Sequence, residues 1–196
     1  MVNTPGRRLG AQAARRLAAL GRAERGPGLT EPELDVLQER FGIVFAADHR
    51  AFLAAGLPTG PRWPDWRNGE LGALRAWLAR PVEDVLFAVA EAGYWHPGWR
   101  RRPPARDAAL AEARARLATV PRLIPVRGHR YLPDGRAAAA GHPVLSVHGA
   151  DVVPYGDDLL DYVEREFGAP TRPPAGAPAT AAFWSDYLAW SNRPGG

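Results

Sequence analysis

Four short apolar segments between residues 123 and 155 limit this chain to folds that contain a small antiparallel sheet. They are residues 123–126, 129–132, 144–147 and 151–155, and Gly, Pro or Asp separates each one from the next. Short runs rich in Val, Leu, Ile and Tyr between turn-forming residues are typical of strands joined by hairpins. Because Pro154 lacks a backbone donor, we expect the last strand at a sheet edge. A further strand candidate upstream is Val85 to Val89.

Helical patterns flank these strands on both sides. The clearest helix starts at a capping box of Thr30 and Glu33 and stops at Gly42, a residue suited to a left-handed C-cap. This order of helices, strands and a final helix predicts an α+β fold, with helices packed on one face of a small, mainly antiparallel sheet. The other predicted helices start at Asp48, Asn68, Asp107 and either Asp157 or Asp158, and end at Gly56, Pro81, Thr119 and Gly168.

Basic charge is concentrated near the start of the chain. All 25 basic residues are Arg, and the net charge of the whole chain is +4. Residues 1–25 carry six of these Arg and one Glu, so the rest of the chain has a net charge of −1. With the break at Gly26-Pro27-Gly28, this predicts a solvated basic arm over residues 1–28 that is dispensable for folding. The near-neutral remainder argues against nucleic acid as a partner.

The remaining chain divides into a body and a C-terminal extension. We expect one α+β domain over residues 29–168, a Pro-rich linker over residues 169–180, and a docking helix with its tail over residues 181–196. The apolar side of that helix includes Trp184, and we expect it to cover the body.

The composition excludes several kinds of chemistry. There is no Cys, so disulfides, thiolate metal sites and cysteine nucleophiles are ruled out. No run of about 18 apolar residues suits a membrane span, and the Arg-rich start holds no signal-peptide core. We therefore expect a cytoplasmic protein that has no membrane partner.

Five local motifs in residues 29–168 are similar to those of a known family. They are LTEPELDVLQERFG, an LP turn, VLF leading to GYWHPGW, LIPVRGHRYLP, and GHPVLSVHGADVVPYGDDLLDYVEREFG. In these motifs the chain resembles bacterial members of the SUKH superfamily, which also includes yeast regulators of cell-wall synthesis. Two motifs depart from the family pattern. Trp99 to Pro103 reads WRRRP where relatives often have WGxRP, and Gly141 to Ser146 reads GHPVLS where they usually have GNPVLS.

The resemblance implies a non-enzymatic α+β domain without a cofactor. Bacterial members of the family are often immunity proteins that bind and neutralise a cognate toxin, so it implies a protein partner. It supplies no catalytic residues. Two alternatives from other classes are a scaffold or regulatory interaction domain with a host partner, and a small hydrolase or metal enzyme.

The residues themselves carry no catalytic motif. None of the five His stands in an HExxH pair, and the chain has neither a GxSxG elbow nor a phosphate-binding loop. A Ser-His-Asp triad around Ser146 is disfavoured, because a residue within a strand lacks the exposed sharp turn of a nucleophile. We expect no catalytic, cofactor-binding or metal-binding residues. The alternative metal site, which neighbouring strands would bring together, consists of His129, His142, His148 and Asp151.

Two segments are candidates for contacting a protein partner. An acidic run late in the body could meet the basic cleft of a nuclease toxin by mimicking phosphate charge. A loop rich in aromatic residues and Arg could anchor a partner instead. The acidic run includes Asp151, Asp157, Asp158, Asp161 and Glu164, and the loop includes Tyr94, Trp99 and Arg100.

Tryptophans in loops are candidates for core plugs or interface anchors. We expect Trp66 and Trp95 to be buried, because each lies between residues that stiffen the chain. We expect Trp99, which is followed by three Arg, to be exposed.

Overall fold

The computed structural model describes residues 4–136, 140–168 and 181–191. The predicted linker, residues 169–180, and the tail beyond residue 191 lie outside the described residues. The elements in chain order are α1 (Thr4–Leu20), β1 (Glu24–Gly26), α2 (Glu31–Phe41), α3 (Ala47–Ala55), β2 (Leu57–Thr59), α4 (Leu71–Glu91), α5 (Arg106–Leu117), β3 (Leu123–Arg127), β4 (Arg130–Pro133), β5 (Val144–His148), β6 (Asp151–Gly156), α6 (Leu159–Phe167) and α7 (Ala182–Ser191).

The predicted α+β class with an antiparallel sheet is confirmed. Strands β3 to β6 form a four-stranded antiparallel sheet in sequential order, and β1 and β2 form a separate two-stranded ribbon. Gly128 and Gly149 start the two-residue turns that join β3 to β4 and β5 to β6, with φ of 56° and 60°. Positive φ is the conformation that tight hairpins need at this position, and Gly adopts it without strain. As predicted from Pro154, β6 lies at a sheet edge.

Helices cover both faces of this sheet, whereas the sequence predicted helices on one face only. Successive strand residues point to opposite sides, so Ile124 and Leu132 contribute to one hydrophobic core while Leu123 and Tyr131 contribute to the other. Helices α1, α2, α3 and α6 supply the first core, and α5 and α7 supply the second. Burial on both faces explains why the first four residues of β3 and of β5 are all buried, with Ser146 the one polar residue among them.

The expected basic arm is corrected by the structure. Residues 4–20 form a helix that packs on α3 and α6, and residues 24–26 pair with β2. At Gly10 an added Cβ would lie 1.9 Å from the backbone oxygen of Asp48, so the two helices touch closely there. Ala13, Ala14 and Leu17 continue this seam and are at most 1% exposed. Small residues along this seam let the backbones of α1 and α3 approach closely, so the helix is buried although it carries few large apolar side chains. Counting large apolar residues in the sequence therefore underestimates the burial of α1.

Helix α4 continues through the proline that was expected to end it. Pro81 has no N–H to offer the carbonyl of Trp77 four residues earlier. That carbonyl instead accepts a hydrogen bond of 3.4 Å from the hydroxyl of Tyr131 on β4. The predicted strand from Val85 to Val89 is therefore wrong, because these residues form the second half of α4 and pack in the second core.

The start of α4 also differs from the expectation. Glu70, not Asn68, caps the helix, since its carboxylate accepts hydrogen bonds of 2.8 and 2.6 Å from the N–H groups of Gly72 and Ala73. By contrast, the capping box of Thr30 and Glu33 is present as predicted.

Helix α7 packs against the second core. Trp184 is fully buried, and its indole N–H donates a 2.6 Å hydrogen bond to the carbonyl of Pro121. Tyr187 is also fully buried, with its ring 4.8 Å from that of Tyr94 in an edge-to-face arrangement. The first contact joins α7 to the segment that precedes β3, and the second joins it to the segment that follows α4.

We predict that Leu17→Ala destabilises the fold by about 2–5 kcal/mol, the usual range for a fully buried Leu. Arg15→Ala, at an exposed position on the same helix, should change the free energy of unfolding by no more than about 0.5 kcal/mol. Urea unfolding followed by tryptophan fluorescence measures both. Equal effects of the two substitutions would contradict the packing of α1.

We predict that Trp184→Ala costs about 3–5 kcal/mol, because it empties a fully buried aromatic site. Trp184→Phe should cost less, since it keeps most of the apolar volume and removes only the donor to Pro121. Calorimetric melting of both variants checks this order. A Trp184→Ala protein as stable as the parent would show that α7 is not part of the fold.

Candidate functional site

Most residues of the acidic run form hydrogen bonds or ion pairs with other parts of the chain. Asp158 caps α6 by accepting from the N–H of Asp161, as predicted for one of the two candidate caps. The carboxylate of Asp161 is 7% exposed and accepts from the N–H of Asp157 and from Arg165. Glu164 forms a two-point ion pair with Arg16 of α1, at 2.6 and 3.0 Å.

The structure buries one residue of the predicted acidic partner surface, Asp161, whereas Asp157, Asp158 and Glu164 are half-buried. Binding of a partner by the rest of the run stays a prediction. The carboxylates of Asp158 and Asp161 accept from backbone donors, and those of Asp161 and Glu164 pair with Arg165 and Arg16. Of the run, only Asp151, at the start of β6, is exposed. The run therefore closes the first core and joins α6 to α1.

The loop rich in aromatic residues and Arg packs against α7 through its aromatic rings. Tyr94 is 1% exposed, so a partner cannot reach it. The ring of Trp99 is half-buried and stacks on Phe183 of α7, with ring centres 6.0 Å apart. Arg100 is exposed, and its carbonyl accepts from the indole N–H of Trp95 at 2.7 Å.

The expected burial of the tryptophans holds only in part. Trp66 is 3% exposed, and Trp63 is buried beside it in the first core. Trp95 and Trp99 are both half-buried, so the predicted contrast between them is wrong. Both pack against the second core, and their rings contact each other.

The alternative metal and triad residues do not converge. The rings of His129 and His148 lie 5.9 Å apart on the sheet, whereas His142 is buried near Asp48. Within the described ranges, no three His, Asp or Glu side chains form a group able to hold a metal ion. Ser146 is buried, and its hydroxyl accepts a hydrogen bond from Arg130.

A groove of about 710 Å³ runs along α4. We call it the α4 groove. The end of α2, the end of α5 and the segment leading into β3 supply its other walls. Its apolar lining residues are Phe41, Leu78, Ala79, Pro81, Val82, Leu86, Leu117, Ala118, Val120 and Leu123.

The polar lining of the α4 groove is almost entirely cationic. Arg40, Arg75, Arg114 and Arg122 line it, and Glu83 is the only acid among the lining residues. Arg122 donates to the carbonyl of Phe41 at 2.7 Å. In the part of the chain that the structure describes, none of the four guanidinium groups lies within 4 Å of a carboxylate.

Helical spacing on α4 builds the floor of the groove. Leu78, Val82 and Leu86 lie four residues apart and therefore share one side of the helix over about 12 Å. Sequence reasoning missed the groove because it ended this helix at Pro81, so the second half of the stripe was assigned to a strand. The period of four from residue 78 to residue 86 was the available signal.

A shallower depression adjoins the groove at Arg40. It is lined in part by Val36, Leu37 and Trp66, and Val36 is 50% exposed. Apolar surface left uncovered beside unpaired cations is typical of a surface that binds another molecule.

A second polar cluster is buried and lies in the first core near α3. His49 is fully buried, neither ring nitrogen has a hydrogen-bond partner, and burial lowers its pKa to about 3. Burial also raises the pKa of the neighbouring Asp48, which accepts from the N–H groups of His49 and Gly141. Both side chains are at most 1% exposed, so this cluster is part of the buried fold.

We predict that acid destabilises the protein through His49. Its folded-state pKa lies below the unfolded value of 6.5, so the stabilisation is complete above pH 6.5 and is lost as the pH falls. The loss should reach about 1.4 kcal/mol per pH unit below that value. Asp48 acts in the opposite sense, since its raised pKa favours the folded state as it takes up a proton.

Urea unfolding at several pH values between about 7 and 5 measures this loss. His49→Leu should flatten it, whereas His148→Leu, at an exposed position, should leave it unchanged. The same pH dependence in the parent and in His49→Leu would contradict the assignment to His49.

Comparisons with family models, with curated proteins and with solved structures found no match for this chain. No helix within residues 4–136, 140–168 and 181–191 has the length and apolar character needed to cross a membrane. Function is therefore inferred from the geometry of the α4 groove.

Proposed function

We propose that this protein is a non-enzymatic protein-binding module, and specifically an immunity-type inhibitor that binds and neutralises a protein toxin. The observation that carries the binding proposal is the α4 groove, an apolar trough of about 710 Å³ edged by four Arg. A partner that covers the apolar surface gains free energy from its burial. If it also supplies carboxylates to the guanidinium groups, charge-assisted hydrogen bonds add to its affinity.

The chemistry of the groove favours binding over catalysis. Its lining includes no His, Ser, Thr, Tyr or Lys, so no nucleophile stands beside a base. Glu83 is the only carboxylate among the lining residues, and a general acid or base needs further groups to position a substrate. Recognition by shape and charge requires none of these.

The toxin as partner is supported by the resemblance of residues 29–168 to SUKH immunity proteins. An inhibitor of this kind acts by occlusion, so a rigid surface on a stable scaffold is sufficient. Helix α4 gives such a surface, because Leu74 and Leu78 pack in the first core and Val85 and Val89 pack in the second.

Co-expression tests this proposal. A protein encoded beside the gene for this chain that arrests growth when expressed alone should be neutralised when this chain is expressed with it. The double variant Arg75→Glu/Arg114→Glu should lose protection and bind the toxin at least about tenfold more weakly, since it reverses two charges that line the groove.

The matched control is Arg8→Glu/Arg15→Glu, which reverses two exposed Arg outside the groove. It should protect as well as the parent. Equal loss in both variants would show a general charge effect, and protection by both would place the interface elsewhere. Binding to a host protein in the absence of any toxin would identify a scaffold instead.

A further inference from the structure

We infer that the partner enters the α4 groove with an amphipathic helix whose apolar stripe is flanked by Asp or Glu. This inference rests on the proposed function and adds the chemistry of the partner segment. It follows from the charge of the groove, its length and the nature of its floor.

Charge determines the flanks of the segment. Four Arg and one Glu give the lining a net charge of +3, and the Arg come from four different segments of the chain. Guanidinium groups bind carboxylates with two parallel hydrogen bonds, which a Lys-rich or neutral segment cannot offer. An acidic segment therefore satisfies the edges of the groove, whereas a basic one would be repelled.

The floor determines the backbone form of the segment. Ten of the fifteen lining residues are apolar, and five of them keep exposed surface: Ala79, Val82, Leu86, Ala118 and Val120. A backbone laid along these five finds few side-chain donors or acceptors. A helix satisfies its backbone hydrogen bonds internally, and an extended segment would leave buried groups unpaired. From Arg75 to Leu86, α4 extends over about 16 Å, which matches about three turns of a bound helix.

The same floor favours protein over nucleic acid as the occupant. A phosphate backbone would gain from the four Arg but would bury no apolar surface against the half-buried Val82 and Leu86. Leu or Phe side chains on one side of a helix fill such a trough and add burial to the ion pairs.

Fluorescence anisotropy with designed peptides tests the inference on the full-length protein. The probe is a labelled peptide of about 18 residues, long enough to populate a helix, with Leu at helical spacing and Glu on both flanks. Three comparison probes are the same peptide with Lys for every Glu, the same peptide with Ser for every Leu, and a single-stranded DNA oligonucleotide.

We expect the acidic Leu peptide to bind at least about tenfold more tightly than each comparison probe and to weaken as salt rises from about 50 to about 300 mM. Ala79→Gln should weaken binding by about tenfold, because a half-buried Ala in the groove gains a larger side chain. The control Ala111→Gln changes an exposed Ala of α5 outside the groove and should have no effect.

Three outcomes overturn the inference. They are equal or tighter binding of the Lys peptide, DNA binding that Ala79→Gln abolishes, and no binding of any peptide to a folded protein. If the toxin still binds and Ala79→Gln weakens it while the peptides fail, the proposed function stands and only the partner chemistry is wrong. Toxin binding that ignores both groove variants would instead overturn the placement of the interface.

Discussion

Burial of both faces of a four-stranded antiparallel sheet is the constraint on which the rest of the structure depends. Antiparallel sheets often leave one face in water, but here alternate residues of β3 and β4 enter two separate cores. Two cores need two layers of helices, and the chain divides its helices between them. Helix α4 contributes to both, with Leu74 and Leu78 on one side and Val85 and Val89 on the other. The groove exists because α4 crosses from one core to the other.

Local sequence patterns predicted the elements whose stability is local. The capping box at Thr30 and the stop at Gly42, with its φ of 62°, involve residues close in sequence, and both are present. The strands were visible because Gly and Pro separate short apolar runs. The packing of α1 was missed because its contact with α3 depends on small residues such as Gly10, which allow another backbone to approach closely. The continuation of α4 past Pro81 depends on Tyr131, fifty residues later.

The surface charges could not be predicted from sequence for the same reason. The acidic run is a cluster along the chain, but Arg16 neutralises Glu164 across 148 residues, and Arg127 neutralises Glu166 from the sheet. The four Arg of the groove are scattered along the chain, and folding brings them into the lining of one groove, none within 4 Å of a carboxylate in the described residues. The clustering of acids along the sequence therefore predicted an exposed acidic surface, although the fold pairs Glu164 and Glu166 with Arg. Nothing in the sequence indicated that the fold would gather four Arg in one groove.

Sharing one helix between two cores has a consequence for how the protein melts. Cores on opposite faces of a sheet can in principle open separately, with one layer of helices leaving while the other remains. Here the two halves of α4 form one continuous helix. In the middle of that helix, where Pro81 lacks a backbone donor, the hydroxyl of Tyr131 donates to the carbonyl of Trp77. Because loosening either core disturbs α4 and therefore the other core, we expect the molecule to unfold as one cooperative unit. A helix seated in the α4 groove would bind only this intact form, and would raise the melting temperature of both cores together.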